Sequence, residues 1–340
     1  MFPSIEIHLD GILRNLNILK NACESRGISL SLVTKVLGGN QQLVSDLIQK
    51  GNLSSICDSR IQNLRAFQHI PVEKWLIRSP MLSEIPDVIT YADVSLNSEL
   101  SVLQALNREA LRQGKVHKIV LMYECGDLRE GCYAEELQEL IAQCHTMPGL
   151  EVYGIGTNLS CLNEVLPSRE NMAEFNAVVS QLESHFQRTF PVISGGASSS
   201  IPLLLSDGLN GRINHLRMGE AVFLGNIPVY DQPFEGAEEG NFILNAEVIE
   251  LKKKPAYPGA PADKLMNRAI VSLGKQDIYL PGLSCADSRI SIIGGSSDHI
   301  ILDVTACNDE YAVGSTVSFK MNYNCLLNAM TSSYIEKVIV

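Results

Sequence analysis

The sequence has no basic run, no long apolar stretch and no cysteine pair spaced as C-x-x-C. Its 27 Lys and Arg residues are scattered among 38 Asp and Glu, for a net charge of −11. That balance argues against nucleic acid or an anionic membrane as the main partner. No apolar stretch approaches the roughly 20 residues that span a bilayer. The opening MFPSIEIHLDGILRNL lacks a charged region followed by an apolar core, so no signal peptide is expected and a cytoplasmic location is. The nine cysteines are an odd number, and their spacing fits neither a disulfide framework nor a zinc site; reduced thiols and no bound metal are expected. No repeat or low-complexity segment stands out.

What is present is an alternation of short apolar runs with longer amphipathic stretches. The runs are 28–35, 53–57, 74–78, 92–96, 116–123, 150–157, 191–194 and 213–217, rich in Val, Ile and Leu as in strands buried on both faces. Helical spacing fills 97–112, with an Asn or Ser cap, and then 133–145 and 168–187. About eight βα units predict an α/β fold with a parallel (β/α)8 barrel over 10–228. After 222 the pattern changes to strands punctuated by Gly and Pro, at 242–251, 268–273, 290–293, 299–305, 315–322 and 335–340. These predict a smaller, mostly β domain over 229–340. The opening segment 4–9 alternates apolar and polar residues and is expected to pair with it as residues 1–9.

Barrel enzymes place their chemistry at the C-terminal strand ends, often with phosphate on the loops after the last two strands. The first predicted strand ends at Lys35. The seventh ends in SGGASSS around Ser198, and the eighth in HLRMGE, which holds Arg217, Gly219 and Glu220. Gly/Ser openings offer backbone N–H groups and hydroxyls to an anion. Taken singly, each has a duller explanation: a linker, a surface lysine, half an ion pair. Their convergence on one rim asks for a phosphorylated ligand beside a lysine.

At these residues the chain resembles the fold-type III pyridoxal phosphate (PLP) enzymes of the alanine racemase group, nearest the ornithine racemase-like branch. The resemblance runs through TKV at Lys35, CDSR at Asp58, LNSE at Asn97, GDLREG at Arg129 and GIGTNLSC at Asn158. It continues through SGGASSS at Ser198, NHLRMGEA at Arg217, GGSSDH at Asp298 and MNYNCLLNAMTS at Tyr323. It implies a cytoplasmic homodimer with shared sites that interconverts L- and D-amino acids, ornithine or another basic one. Lys35 matches the Schiff-base lysine and Arg217 the arginine facing the pyridine nitrogen. Ser198, the backbone of Gly219 and Glu220, and Tyr323 match phosphate contacts. Arg129 matches the residue near the phenolic oxygen and the substrate carboxylate, and Asn158 stands where a histidine lines the cofactor.

Two departures stand out. Gly39 occupies the place of a phosphate-binding tyrosine, and Lys275 replaces the tyrosine that is the second catalytic base. Racemisation needs proton exchange on both faces of a planar carbon, so Lys35 and Lys275 are expected to serve one face each. A lysine base must be neutral, so burial or the charge of Arg129 is expected to lower its pKa. Tyr323, Asp298 and Ser297 are reserve candidates for that base, and Asp298 for a substrate contact. In a homodimer Lys275, Asp298 and Tyr323 would come from the other subunit. Asp127, Glu130 and Glu220 are candidates to pair a distal ammonium. The alternatives are an alanine or broad-specificity racemase, a PLP carrier without turnover, and a decarboxylase or aldolase on the same fold.

Overall fold

The computed structural model describes residues 3–209, 211–261 and 263–340. They divide into two compact units, Leu13–Lys35 with Gly39–Ala237, and Met1–Ile12 with Val36–Gly38 and Glu238–Val340. The chain begins with strand β1 (Ser4–Ile7) and helix α1 (Leu9–Glu24). Eight parallel strands follow: β2 (Ser29–Val33), β3 (Ser55–Asp58), β4 (Glu73–Leu76), β5 (Val94–Asn97), β6 (His117–Tyr123), β7 (Leu150–Thr157), β8 (Val192–Ser194) and β9 (His215–Met218). They close into a barrel, as the apolar runs predict. Closure pairs β2 with β9, setting Ser31 opposite Arg217.

Between the strands lie α2 (Gln41–Gly51), α3 (Ile61–Ala66), α4 (Ile85–Tyr91), α5 (Leu100–Arg112), α6 (Ala134–Cys144), α7 (Arg169–Phe186), α8 (Ile201–Leu205) and, after β9, α9 (Glu220–Leu224). The start of α7 is fixed by a reciprocal cap, Ser168 accepting from Asn171 N while the Asn171 side chain accepts from Ser168 N. The start of α5 differs from the sequence expectation. Its cap position is Glu99 with no side-chain bond, because Asn97 is the last residue of β5. There its amide donates inward to the Ser95 carbonyl and hydroxyl, both at 2.9 Å. Its Oδ1, the atom that would cap a helix, stays buried without a partner.

The barrel interior mixes apolar packing with hydroxyls and imidazoles. Trp75 is 1% exposed and stacks on His215 with ring centroids 4.6 Å apart. His215 lies 2.8 Å from Ser31 Oγ and 2.9 Å from Ser194 Oγ, and Ser31 lies 2.5 Å from Ser55. Burial, with Arg217 adding to it, pushes the imidazole down to about 3, so it is neutral.

After a short hairpin of β10 (Asn226–Ile227) and β11 (Gln232–Pro233), the second unit is antiparallel. It contains β12 (Phe242–Pro255), β13 (Leu265–Val271), β14 (Leu283–Cys285), β15 (Ser291–Gly295), β16 (Ile300–Asp303), β17 (Thr316–Met321), helix α10 (Tyr323–Thr331) and β18 (Glu336–Ile339). β1 pairs antiparallel with β12 and parallel with β18. The sequence pattern shows neither α10 nor β14. All nine cysteines are free thiols. No described helix is long and apolar enough to cross a membrane.

Trp75 fills the space under the site, so Trp75→Ala should cost about 3–5 kcal/mol of unfolding free energy. Urea denaturation checks this, and a loss below about 1 kcal/mol would mean that the barrel interior is not packed as described.

Candidate active site

β2 delivers Lys35 to the C-terminal rim, where it opens a single turn of 3-10 helix, Lys35–Leu37. The backbone entering it is pinned. Thr34 N donates to the Cys57 carbonyl at 2.8 Å, and Thr34 Oγ1 to Asp58 Oδ2 at 2.9 Å. Asp58, fully buried, also accepts from Arg60 N and Asn63 Nδ2 at 2.9 and 3.1 Å. Burial raises its pKa and these bonds oppose the rise. The CDSR motif carries no sign of this role in its sequence.

Because β9 is the neighbour of β2, Arg217 and the segment from Gly219 leave the same part of the rim. Arg217 is 3% exposed. It donates from Nη1 to Ser194 Oγ and from Nη2 to the Thr157 carbonyl at 2.9 Å. Both acceptors are neutral, and among the described residues no carboxylate hydrogen-bonds the guanidinium. Burial lowers its pKa. The Thr157 hydroxyl beside it is buried without a partner. Next to it, Ser198 opens the turn Ser198–Ser200 and its Oγ accepts from Gly219 N and Ala221 N, both at 3.3 Å. Having accepted twice, that hydroxyl has its own proton to give, and no described residue takes it. A Cβ at Gly219 would lie 2.9 Å from the Val33 carbonyl, so glycine is what lets this backbone approach β2.

The loops after β6 and β7 hold Arg129 and Asn158. Arg129 forks onto Glu130. In the amide orientation that satisfies both of its ends, Asn158 accepts from Arg129 Nη2 and Leu159 N, each at 3.3 Å. The expected ammonium partners are mostly engaged elsewhere. Asp127 accepts three backbone N–H groups of residues 161–163, and Glu130 is bound by Arg129. Each therefore keeps only part of its roughly four lone-pair sites for a distal ammonium.

The remaining candidates belong to the other unit. Gly274, Lys275 and Gln276 lie against 296–298: Lys275 N donates to the Ser296 carbonyl at 2.9 Å and Gln276 Nε2 to Asp298 Oδ1 at 3.2 Å. Ser297 Oγ donates to the same aspartate at 2.9 Å. Lys275 is exposed, not buried as a neutral base was expected to be. Tyr323, half-buried, is the first residue of α10, behind the Asn322 cap. At Gly39, φ is +79° and a Cβ would lie 2.9 Å from Asn63 Oδ1, so a side chain here would be strained. A separate open depression of about 730 Å³ sits at the opposite barrel end; three of its lysines are already bonded, to carbonyls or to Glu73.

The family model described as alanine racemase, N-terminal domain, matches residues 7–227. The chain belongs to the alanine racemase family. It is 38% identical to an ornithine racemase of Acetoanaerobium sticklandii over 100% of both chains. It is 33% identical to a lysine racemase of Thermotoga maritima over 99% of this chain and 98% of that one. Among solved structures, an alanine racemase of Bartonella henselae with covalently bound pyridoxal phosphate superposes with a TM-score of 0.78 at 16% identity, covering 99% of each chain. That last likeness speaks to the fold.

The racemase residues present fit the cofactor on their own chemistry. The Ser198 proton without a taker, beside crowded backbone N–H groups, suits a phosphate. Arg217, a buried donor lacking a carboxylate, suits an electron-rich ring nitrogen, and Lys35 supplies the amine.

Glu220 yields a pH test of this site. Burial, opposed by the charge of Lys35, pushes its carboxyl from 4.5 up to about 7. A proton held more tightly in the folded state stabilises the fold below the unfolded value and is lost as pH rises through the folded one. Cofactor-free protein should therefore lose stability between pH 4.5 and about 7. Glu220→Gln should melt higher than wild type near pH 8 and about equally near pH 5. Equal shifts at both would exclude the linkage.

Proposed function

We propose that this chain is a PLP-dependent racemase of basic amino acids, acting on ornithine or lysine. One geometric fact carries the reading: a lysine and a buried, carboxylate-free arginine leave adjacent strand ends beside donors that lack an acceptor. The basic side chain of the substrate is drawn from the two full-length relatives.

The cofactor supplies an electron sink that makes the substrate Cα–H acidic. Ser198, the backbone of Gly219 and Glu220, and the partner subunit's Tyr323 would hold its phosphate. Arg217 cannot accept a proton at any ordinary pH, so toward the ring nitrogen it would serve only as a donor. Arg129, steadied by Glu130 and Asn158, orients the substrate carboxylate. Lys35 Nζ moves the proton on one face of Cα. Lys275 moves it on the other, within a cytoplasmic homodimer whose partner subunit's Lys275, Asp298 and Tyr323 complete each site. Docking against a partner would take the exposed Lys275 amine out of water, the setting a base needs.

Single L-amino acids incubated with the holoenzyme in deuterated water, followed by chiral chromatography, test this. The expected result is an equal mixture of enantiomers with deuterium at Cα, fastest for ornithine or lysine. Lys35→Ala should abolish it. Lys275→Ala should lower turnover by at least about 100-fold, the scale of a lost general base. Fastest turnover of alanine would overturn the substrate class. Absence of exchange would mean a carrier, and loss of carboxylate or an aldehyde product a lyase.

A further inference from the structure

We propose that Asp127 is a positioning residue, which clasps the two loops of the barrel mouth so that Arg129 and Asn158 keep their places in the site. This rests on the reading that those two residues line it. Asp127 is 1% exposed. Its Oδ2 accepts from Cys161 N and Leu162 N and its Oδ1 from Asn163 N, all at 3.1 Å. Asn163 Nδ2 returns a bond to the Asp127 carbonyl at 2.7 Å. Four bonds thus join the loop after β6 to the loop after β7, with the carboxylate charge met by three N–H dipoles.

The backbone on both sides shows why a clasp is needed. Leu128, Ser160 and Glu164 have φ of 53°, 61° and 56°. Side-chain-bearing residues hold that conformation only where their surroundings over-determine it. On the far side of Arg129 the chain is anchored again. Gly131 has φ +144° and a Cβ there would lie 2.8 Å from Glu124 N. Cys132 N donates to the Met122 carbonyl at 2.9 Å and Glu124 N to the Cys132 carbonyl at 3.0 Å. Arg129 therefore stands on a short span between two fixed points, and Asn158 begins the strand of chain that Asp127 grips. The pairing of Arg129 with Asn158 closes the circuit. Loss of the clasp releases both at once. Reacting groups tolerate little displacement, since about 1 Å can cost on the order of 100-fold in rate.

The test compares holoenzyme carrying Asp127→Asn, Arg129→Lys, and both. Asparagine keeps the shape but turns an N–H₂ toward an N–H. The expected result for Asp127→Asn is a fall in kcat/KM of about tenfold to a hundredfold, with far-UV circular dichroism unchanged and faster amide exchange at 161–163. In the Arg129→Lys background the same change should cost less than about threefold, because coupled residues are not additive. Multiplying losses, or unchanged exchange at 161–163, would overturn the proposal. An Arg129→Lys variant as active as wild type would instead sink the site reading beneath it. Should Asp127→Asn fail to fold, Asn163→Ala removes one bond of the clasp and must show the same non-additivity.

Discussion

A guanidinium buried among neutral groups governs this barrel. Taking an ion out of water costs several kcal/mol unless dipoles replace the lost hydration. Arg217 finds those dipoles in the Ser194 hydroxyl and the Thr157 carbonyl. The consequence runs inward. Ser194 accepts from Arg217 and also lies 2.9 Å from His215 Nδ1, while His215 Nε2 lies 2.8 Å from Ser31 Oγ. Ser31 in turn reaches Ser55. The buried cation thus heads a polar chain across β9, β8, β2 and β3, and Trp75 seals it by stacking on the imidazole. With no carboxylate among the described residues hydrogen-bonded to it, the guanidinium keeps an electrostatic demand for whatever occupies the mouth above.

Parallel closure then does the placing. Ser31 opposite Arg217 sets the level of β2 against β9, so Lys35 and Gly219 emerge side by side. β8 contributes the Ser198 turn at the same height, with Arg217 N donating to the Gly196 carbonyl at 3.0 Å. The chemistry is therefore a property of strand register, and the loops after β6 and β7 are held to that register by side chains.

Much of this was legible beforehand. All eight barrel strands stand out because strands covered on both faces are unbroken apolar runs, and the lysine, glycine/serine and arginine segments sit at their ends as barrel chemistry requires. That a mostly β unit follows was legible from strand-like runs punctuated by Gly and Pro with no long helix between them. What escaped has physical causes. α10 is short, and its Asn322 cap hides in the polar cluster Asn322-Tyr323-Asn324. Asn97 reads as a cap but is a strand residue satisfying Ser95. Asp127 reads as a free anion because three backbone donors carry no signature in sequence. The exposure of Lys275 likewise depends on tertiary placement, which composition does not report.

The most direct test of the account is to reduce the holoenzyme with borohydride, digest it and locate the cofactor by mass spectrometry. One adduct, on the peptide carrying Lys35, is predicted. An adduct on any other lysine, or none, would contradict the account.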